Sequence, residues 1–403
     1  MITRIQIRNF KSLSDFDLDN IGMFTCLIGL NGAGKTTLLQ ALDFLGHLVS
    51  GQTDFRGWSR NELLTAGEKL RTIAFRITFK IPQFEEIFWA GKYNVDRMKF
   101  SEESIFTYNH IQNKIEKYYL ILRDGRLLYE GMPLETTKIV SKNISDYNYK
   151  GSVKIVSKNI SDYNYKGSVL SAFMYDDAVI CAVRDELQGL KSLELLSPET
   201  LRHASKPVEN MGIGGEGLAG FLYNLSKENY SELNSTIKNY YHYINNFYIK
   251  NKKFGWKQLL SKEVTGSEIP ATHVNDGFLR IIAILTQKYS KKKFLLFDEI
   301  ENGINQELIE KLLDTLRNFN GKQVMVTTHS ALVLNYLSDE EARQSVVLLF
   351  KDKKGSTRAT RFFELPEIAE KLRFLGPGEA MGDTDLVKLT NDLAENAVAG
   401  QEE

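Results

Sequence analysis

The run Gly29-Leu30-Asn31-Gly32-Ala33-Gly34-Lys35-Thr36 constrains this chain more than any other part of it. It fits the pattern G-x-x-x-x-G-K-[ST], and its setting fits as well. Met23 to Ile28 reads as a buried strand, and Lys35 to about Leu48 as a helix. Glycines let successive backbone N–H groups curl around phosphate oxygens, and the helix N-terminus adds positive potential. In such a loop the lysine, here Lys35, reaches the β- and γ-phosphates of ATP, and the hydroxyl of Thr36 ligates Mg2+. Asn31, Gly32, Ala33, Gly34, Lys35, Thr36 and Thr37 are therefore the expected nucleotide-binding residues.

The rest of the chain supplies the sheet that such a loop needs. Ile2 to Arg8 alternates as a strand, Thr72 to Ile81 alternates cleanly, and Tyr118 to Leu122 with Leu127 to Glu130 flank the turn Asp124-Gly125. That region is expected to be an antiparallel meander. Leu218, Phe221, Leu222 and Leu225 fall at helical spacing, which predicts a helical subdomain over roughly 170–270. Farther on, Phe294 to Phe297, Val324 to Thr328 and Val346 to Phe350 read as apolar strands, with a helix from Gln306 to Phe319. Strand and helix alternating in this way predict a parallel α/β core.

Two of these strands end in chemically useful residues. Phe294 to Phe297 delivers Asp298 and Glu299 at its C-terminal end, where ligand sites of α/β sheets lie. Asp298 is expected to hold Mg2+, directly or through water, and Glu299 to orient and deprotonate the attacking water. His329 follows the next strand, where an imidazole can hydrogen-bond the γ-phosphate and that water. Val274-Asn275-Asp276-Gly277-Phe278-Leu279-Arg280 reads as a polar cap opening a helix. Taken alone it is either a capped core helix or an anion site at free N–H groups.

With these motifs in place the sequence resembles the SMC and RecF-like branch of the ABC-type AAA ATPases, especially those related to OLD-family and phage-defence proteins. Asn9-Phe10-Lys11-Ser12, at the end of the first strand, is similar to a segment that precedes the loop in that family, which adds Lys11 to the nucleotide site. Asn275 to Arg280 resembles the signature S-D-G-x-x-R, with Asn275 in place of serine. The resemblance implies that Asn275, Asp276 and Gly277 act on ATP held by the opposite subunit of a homodimer or of a larger assembly of dimers. Leu195 to Arg202 and Gly215-Glu216-Gly217-Leu218 also resemble family segments, whereas no glutamine is assigned to the family's Q-loop: Gln52 is available, but nothing in its surroundings marks it. No sustained heptads separate loop and signature, so no long coiled coil is expected. Asp383-Thr384-Asp385 imitates a metal-binding D-x-D pair, but its context predicts a helix cap or a docking segment.

The expected fold is thus an ABC-type P-loop ATPase head with a parallel core sheet, an antiparallel β meander and a helical subdomain. Residues 1–137 form the first ATPase lobe, 170–270 the helical subdomain, 271–350 the second lobe and 351–403 a C-terminal extension. Between them, Lys138 to Val153 is repeated letter for letter as Lys154 to Val169, which reads as a surface hairpin or loop. Fifty-one basic residues balance fifty-one acidic ones, so net charge selects no partner. Cys26 and Cys181 both lie in apolar runs, as suits a reducing cytoplasm, and no stretch has membrane-spanning length. The expected function is ATP hydrolysis that closes and opens a dimer and so switches a separately encoded effector, a nuclease or toxin, in anti-phage defence. The alternative is a RecF-like ATPase that clamps DNA in repair or replication. An ABC transporter motor is disfavoured, because Lys35 and Asn275 stand about 240 positions apart and no LSGGQ-type signature occurs.

Overall fold

A computed structural model describes residues 1–52, 58–82, 84, 86–109, 114–130, 155–160, 163–193 and 198–399. The strands of the first half are β1 (Ile2–Phe10), β2 (Leu13–Leu18), β3 (Phe24–Ile28), β4 (Thr72–Lys80), β5 (Glu86–Asn94), β6 (Lys99–Asn109), β7 (Lys114–Arg123), β8 (Arg126–Glu130) and β9 (Ile155–Asn159). Those of the second half are β10 (Leu190–Leu193), β11 (Ile244–Asn251), β12 (Lys257–Glu263), β13 (Glu268–Pro270), β14 (Phe294–Phe297), β15 (Gln323–Thr327), β16 (Val346–Lys351) and β17 (Thr357–Arg361). They build an antiparallel sheet in the order β2-β1-β4-β5-β6-β7-β8-β9, a core sheet β10-β14-β15-β3-β16-β17 and a small sheet β11-β12-β13. In the core sheet β10, β14, β15, β3 and β16 run parallel, and β17 closes the edge antiparallel.

The central strands β14, β15, β3 and β16 are mostly apolar because both faces of the sheet are covered. Alternate side chains feed two separate cores: Leu27, Phe294, Leu296, Met325, Val347 and Leu349 point to one. Cys26, Ile28, Leu295, Phe297, Val324, Val326, Val346 and Leu348 point to the other. The first core joins the sheet to the meander and to the helix Lys35–Val49, and the second to the helices Asp276–Thr286 and Gln306–Arg317. Gln323 fastens the two sheets, since its Oε1 accepts from the Ile2 N–H at 2.6 Å and its Nε2 donates to the Ile2 carbonyl at 2.8 Å. The β7–β8 hairpin forms at Asp124-Gly125 as the turn chemistry requires, both residues having positive φ. Among the described residues the long helix Lys35–Val49 has only 15 residues, and no helix is long and apolar enough to cross a membrane.

Three expectations need correction. The segment 170–270 is not wholly helical: β10 joins the core sheet, and the Tyr- and Asn-rich stretch becomes β11, paired with β12. Its Ile244 and Phe247 reach the core while Asn245 and Lys250 face out, a strand pattern diluted by the many polar residues around it. The C-terminal extension likewise contributes to the core sheet, because β17 pairs with β16 and places Thr357 under the glycine-rich loop. Of the duplication, the first copy, Lys154, Ser161 and Asp162 lie outside the described residues. The remainder of the second copy is more than surface loop. It forms β9 on β8 and buries Ser168 and Val169, where the Ser168 hydroxyl and the Val169 N–H both donate to Glu103 at 2.7 Å. Asp385, by contrast, caps the C-terminal helix as expected, its Oδ1 accepting from the N–H groups of Val387 and Lys388 at 3.0 Å each.

Candidate nucleotide site

The parallel order β14-β15-β3 sets three strand ends side by side, and each ends in a residue with chemistry to offer. β3 runs directly into the loop, which turns through Gly29, Gly32 and Gly34, all at positive φ. At Gly34, where φ is 108°, a Cβ would lie 2.2 Å from the Thr357 hydroxyl, so only glycine fits. Thr357 in turn donates to the Ala33 carbonyl at 3.0 Å and shares a hydrogen bond with Ser12, which fixes the loop from below. Asn31 and Gly32 are exposed at the crest of the loop, and Thr37 is half-buried on the first turn of the helix.

Lys35 is only 5% exposed, with its ammonium 2.9 Å from the Gly29 carbonyl and 3.2 Å from that of Leu30. Burial pulls its pKa below the usual lysine value, while the carboxylates of Asp298, Glu299 and Glu301 oppose that shift. The Thr36 hydroxyl donates to Asp298 Oδ2 at 2.8 Å, a contact spanning 262 residues of sequence. A hydroxyl and a carboxylate oxygen converging at the loop are the hard oxygen donors that Mg2+ takes, with water and phosphate completing its shell. The pair therefore fits the ion.

Thr327, at the end of β15, ties the two carboxylate-bearing residues of the neighbouring strand end together. Its hydroxyl donates to Asp298 Oδ1 at 2.6 Å and accepts from the Glu299 N–H at 2.8 Å. Glu299 itself has φ 47°, in the left-handed region that a glutamate seldom occupies. Strain of this sort costs about 1–3 kcal/mol and persists only where the surroundings impose it. Here the Thr327 hydroxyl holds the backbone, and the Asn302 amide donates to Glu299 Oε2 at 3.1 Å. His329 is exposed just beyond, its backbone N–H donating to Glu301 Oε1 at 2.9 Å. Lys11, in the turn between β1 and β2, reaches the Lys35–Val49 helix five residues past Lys35, its ammonium 2.9 Å from Gln40 Oε1 and 3.7 Å from the centre of the Trp58 ring.

The signature residues form a second, separate group. Asn275 caps the helix Asp276–Thr286, its Oδ1 accepting from the Phe278 N–H at 2.8 Å and its amide donating to the Tyr243 hydroxyl at 3.2 Å. Arg202 binds the Asp276 carboxylate and donates to the carbonyls of Ala271 and Val274 at 2.7 Å each. Gly277 packs so closely that a Cβ would lie 2.8 Å from the Gly303 carbonyl. No hydrogen bond joins Asn275, Asp276 or Gly277 to the loop among the described residues. One covalent and hydrogen-bonded path does leave the signature helix: Arg280 donates to the Asn302 carbonyl, and Asn302 holds Glu299.

Thr327, Asn302 and Thr357 are missing from the sequence-based site. A threonine closing the wholly apolar strand Val324-Met325-Val326 was a readable signal for the first of them. Asn302 and Thr357 carry no such mark, since only the fold brings them to Glu299 and Ala33. Arg202 belongs to a family-like segment, of which residues 195–197 lie outside the described residues. Gln52 is exposed past the far end of the Lys35–Val49 helix, its N–H bonded to the His47 carbonyl.

Residues 1–333 match the AAA ATPase domain family. An OLD nuclease of Thermus scotoductus is 46% identical over 57 residues, 14% of this chain and 11% of that protein. The DNA replication and repair protein RecF of Pasteurella multocida is 48% identical over 46 residues, 11% of this chain and 13% of that protein. The alignments thus span only a small part of either relative. Among solved structures, an SMC head bound to the C-winged helix domain of ScpA superposes with a TM-score of 0.51 at 12% identity, covering 90% of this chain and 99% of that one. An Smc head with an extended coiled coil, bound to the C-terminal domain of ScpA derived from Pyrococcus furiosus, gives 0.51 at 12%, covering 92% and 99%. With a family match over most of its length and the architecture of an SMC head, this chain belongs to the AAA ATPase domain family.

Proposed function

We propose that this protein binds ATP between two copies of itself, hydrolyses it, and uses the resulting closing and opening to switch a separate effector protein. The observation that carries the hydrolytic part is the convergence of Thr36, Asp298, Thr327 and Glu299 within successive hydrogen bonds of 2.6–2.8 Å. Lys35 holds the β- and γ-phosphates, and the loop N–H groups cradle them. Mg2+, held by Thr36 and Asp298, offsets phosphate charge when bound. Glu299 takes a proton from water as the water oxygen bonds to the γ-phosphorus and the bond to the bridging oxygen breaks, leaving ADP and phosphate. His329 orients the same water from the neighbouring strand.

The separation of the signature group from the loop of its own chain supports a composite site. In a two-fold pair each Asn275 cap and its neighbours Asp276 and Gly277 would face the partner's nucleotide, so two ATP molecules lie in one self-complementary interface. Similarity to an OLD nuclease supports an effector that is a nuclease, with a toxin as the other form, acting in defence against phage in the cytoplasm. Similarity to RecF supports the second reading, an ATPase that binds DNA itself in repair or replication.

Mixing two variants tests the composite site. Lys35→Ala removes the phosphate lysine, and Asn275→Asp sets a carboxylate against the γ-phosphate. Each alone should fail to close on ATP, whereas a mixed pair contains one site built from two intact halves. Cross-linking should therefore recover ATP-dependent closure in the mixture. Closure that needs no ATP and ignores both substitutions would refute the mechanism.

A further inference from the structure

The hairpin of β11 and β12 presents a feature that ATP hydrolysis does not use. Its tip, Lys250-Asn251-Lys252-Lys253-Phe254-Gly255-Trp256, is exposed at every residue and contains no acid. Phe254 is 91% exposed and Trp256 42% exposed, in a chain that buries most of its phenylalanines. Phe254 also has φ 58°, a left-handed backbone that a turn normally gives to glycine or asparagine. Nothing in the packing requires phenylalanine there. No ion pair engages Lys250, Lys252 or Lys253 among the described residues.

The hairpin is nevertheless well fixed. The Lys252 N–H donates to the Trp256 carbonyl at 2.8 Å, and Lys257 exchanges backbone hydrogen bonds with Ser205 at 2.8 and 3.0 Å. The Lys257 ammonium lies 3.6 Å from the centre of the Tyr223 ring and 2.6 Å from Asn251 Oδ1. A rigid finger thus carries two aromatic rings among three lysines.

We infer that this tip is a contact for single-stranded nucleic acid, with Phe254 and Trp256 stacking on bases and Lys250, Lys252 and Lys253 meeting phosphates. The chemistry selects this occupant. Aromatic faces stack on any unpaired base, and lysines beside them follow the backbone. In a duplex the base faces are already covered, so a finger whose rings offer mainly stacking gains little there. A protein partner would call for a wider apolar core than two rings, and insertion into a membrane for a broader apolar face.

The base of the finger leads to the signature. Tyr243, next to β11, accepts from the Asn275 amide, and β13 runs through Ala271–His273 to the same cap. Insofar as the composite ATP site is correct, a strand held at the tip would bear on the residues that meet the partner's nucleotide.

Binding at the tip is testable without nucleotide, which separates its failure from failure of the ATPase reading. Fluorescence anisotropy of a labelled oligothymidylate of about 15 nucleotides, titrated with the whole protein from low to moderate salt, is the measurement. Phe254→Ala should weaken binding about tenfold and leave the salt slope unchanged, since stacking releases no counterions. Lys252→Ala/Lys253→Ala should lower the slope of log affinity against log salt by about 1.4, at about 0.7 per phosphate contact on a single strand. All three side chains are solvent-exposed, so unchanged melting temperatures are expected of both variants. Wild-type affinity in both variants would overturn the proposal, as would an absence of binding by the native protein at about 50 mM salt. Tighter binding of a duplex of equal length, or of anionic phosphatidylserine vesicles in place of the oligonucleotide, would overturn the choice of a single strand.

Discussion

Replacing Thr327 by valine would test the central claim about the site, because valine keeps the shape of the side chain and removes only the hydroxyl. Thr327 is fully buried, and that hydroxyl makes two contacts: it donates to the Asp298 carboxylate and accepts from the Glu299 N–H. A hydrogen bond to a charged group contributes about 1.5–3 kcal/mol and a neutral one about 0.5–1.5 kcal/mol. Asp298 retains its bond from Thr36, so a loss toward the lower end of the combined range of about 2–4.5 kcal/mol is expected. With unfolding entropy near 2.1 cal/mol/K per residue, 403 residues unfolding together give a fall in melting temperature of about 2–5 °C. The effect on turnover should be larger. Freed from Thr327, Glu299 can relax from its left-handed backbone, and a displacement of about 1 Å costs about a hundredfold in rate. Steady-state phosphate release should therefore fall about 30- to 100-fold, while affinity for a fluorescent ATP analogue, set mainly by Lys35 and the loop, changes by only about threefold. Thr327→Ser should restore both stability and turnover. Wild-type turnover in Thr327→Val, or a serine variant as impaired as the valine one, would show that the hydroxyl does not position Glu299.

Three further outcomes rest on particular contacts. Glu299→Gln should bind ATP normally and lose at least about a hundredfold in turnover, measured by phosphate release, and a smaller loss would remove Glu299 as the base. Burial pushes Glu103 up from the usual glutamate value to about 7, against the opposing pull of its bonds from Ser168 and Val169. The folded protein therefore holds this proton more tightly than the unfolded chain, and the associated stability, about 3 kcal/mol, is present below about pH 4.5 and lost as pH rises through about 7. Urea midpoints at pH 5 and pH 8 should differ less in Glu103→Gln than in the native chain, and equal differences would count against it. Deleting Lys154 to Val169 should leave the melting temperature nearly unchanged, because Lys138 to Val153 supplies the same residues for β9 and for the Glu103 contacts. Removing both copies should lower it by several degrees. Equal effects of the two deletions would show that the copies are not interchangeable.

The glycine loop, the carboxylates after Phe297 and the strand before His329 were legible because each is a local pattern: an apolar run that ends abruptly in polar residues. A strand buried on both faces needs such a run, and its end must meet solvent or ligand, so sequence alone set Asp298, Glu299 and His329 just past the ends of core strands and Lys35 and Thr36 at the start of the helix after β3. The parallel core, the meander and the β7–β8 hairpin came from periodicity and turn chemistry in the same way. What the tertiary structure decided are contacts between residues distant in sequence. Thr36 meets Asp298 across 262 positions and Thr357 meets Ala33 across 324, and no periodicity encodes either pairing. β10 and β11 are not legible locally because Lys191 and Ser192 interrupt the apolar run of the one and the other is polar on its exposed face, so their identity rests on partners found elsewhere in the chain. The left-handed backbone of Glu299 belongs to the same class. Glutamate has no local preference for it, and only the Thr327 hydroxyl and the Asn302 amide, brought there by the folded sheet, hold it in place.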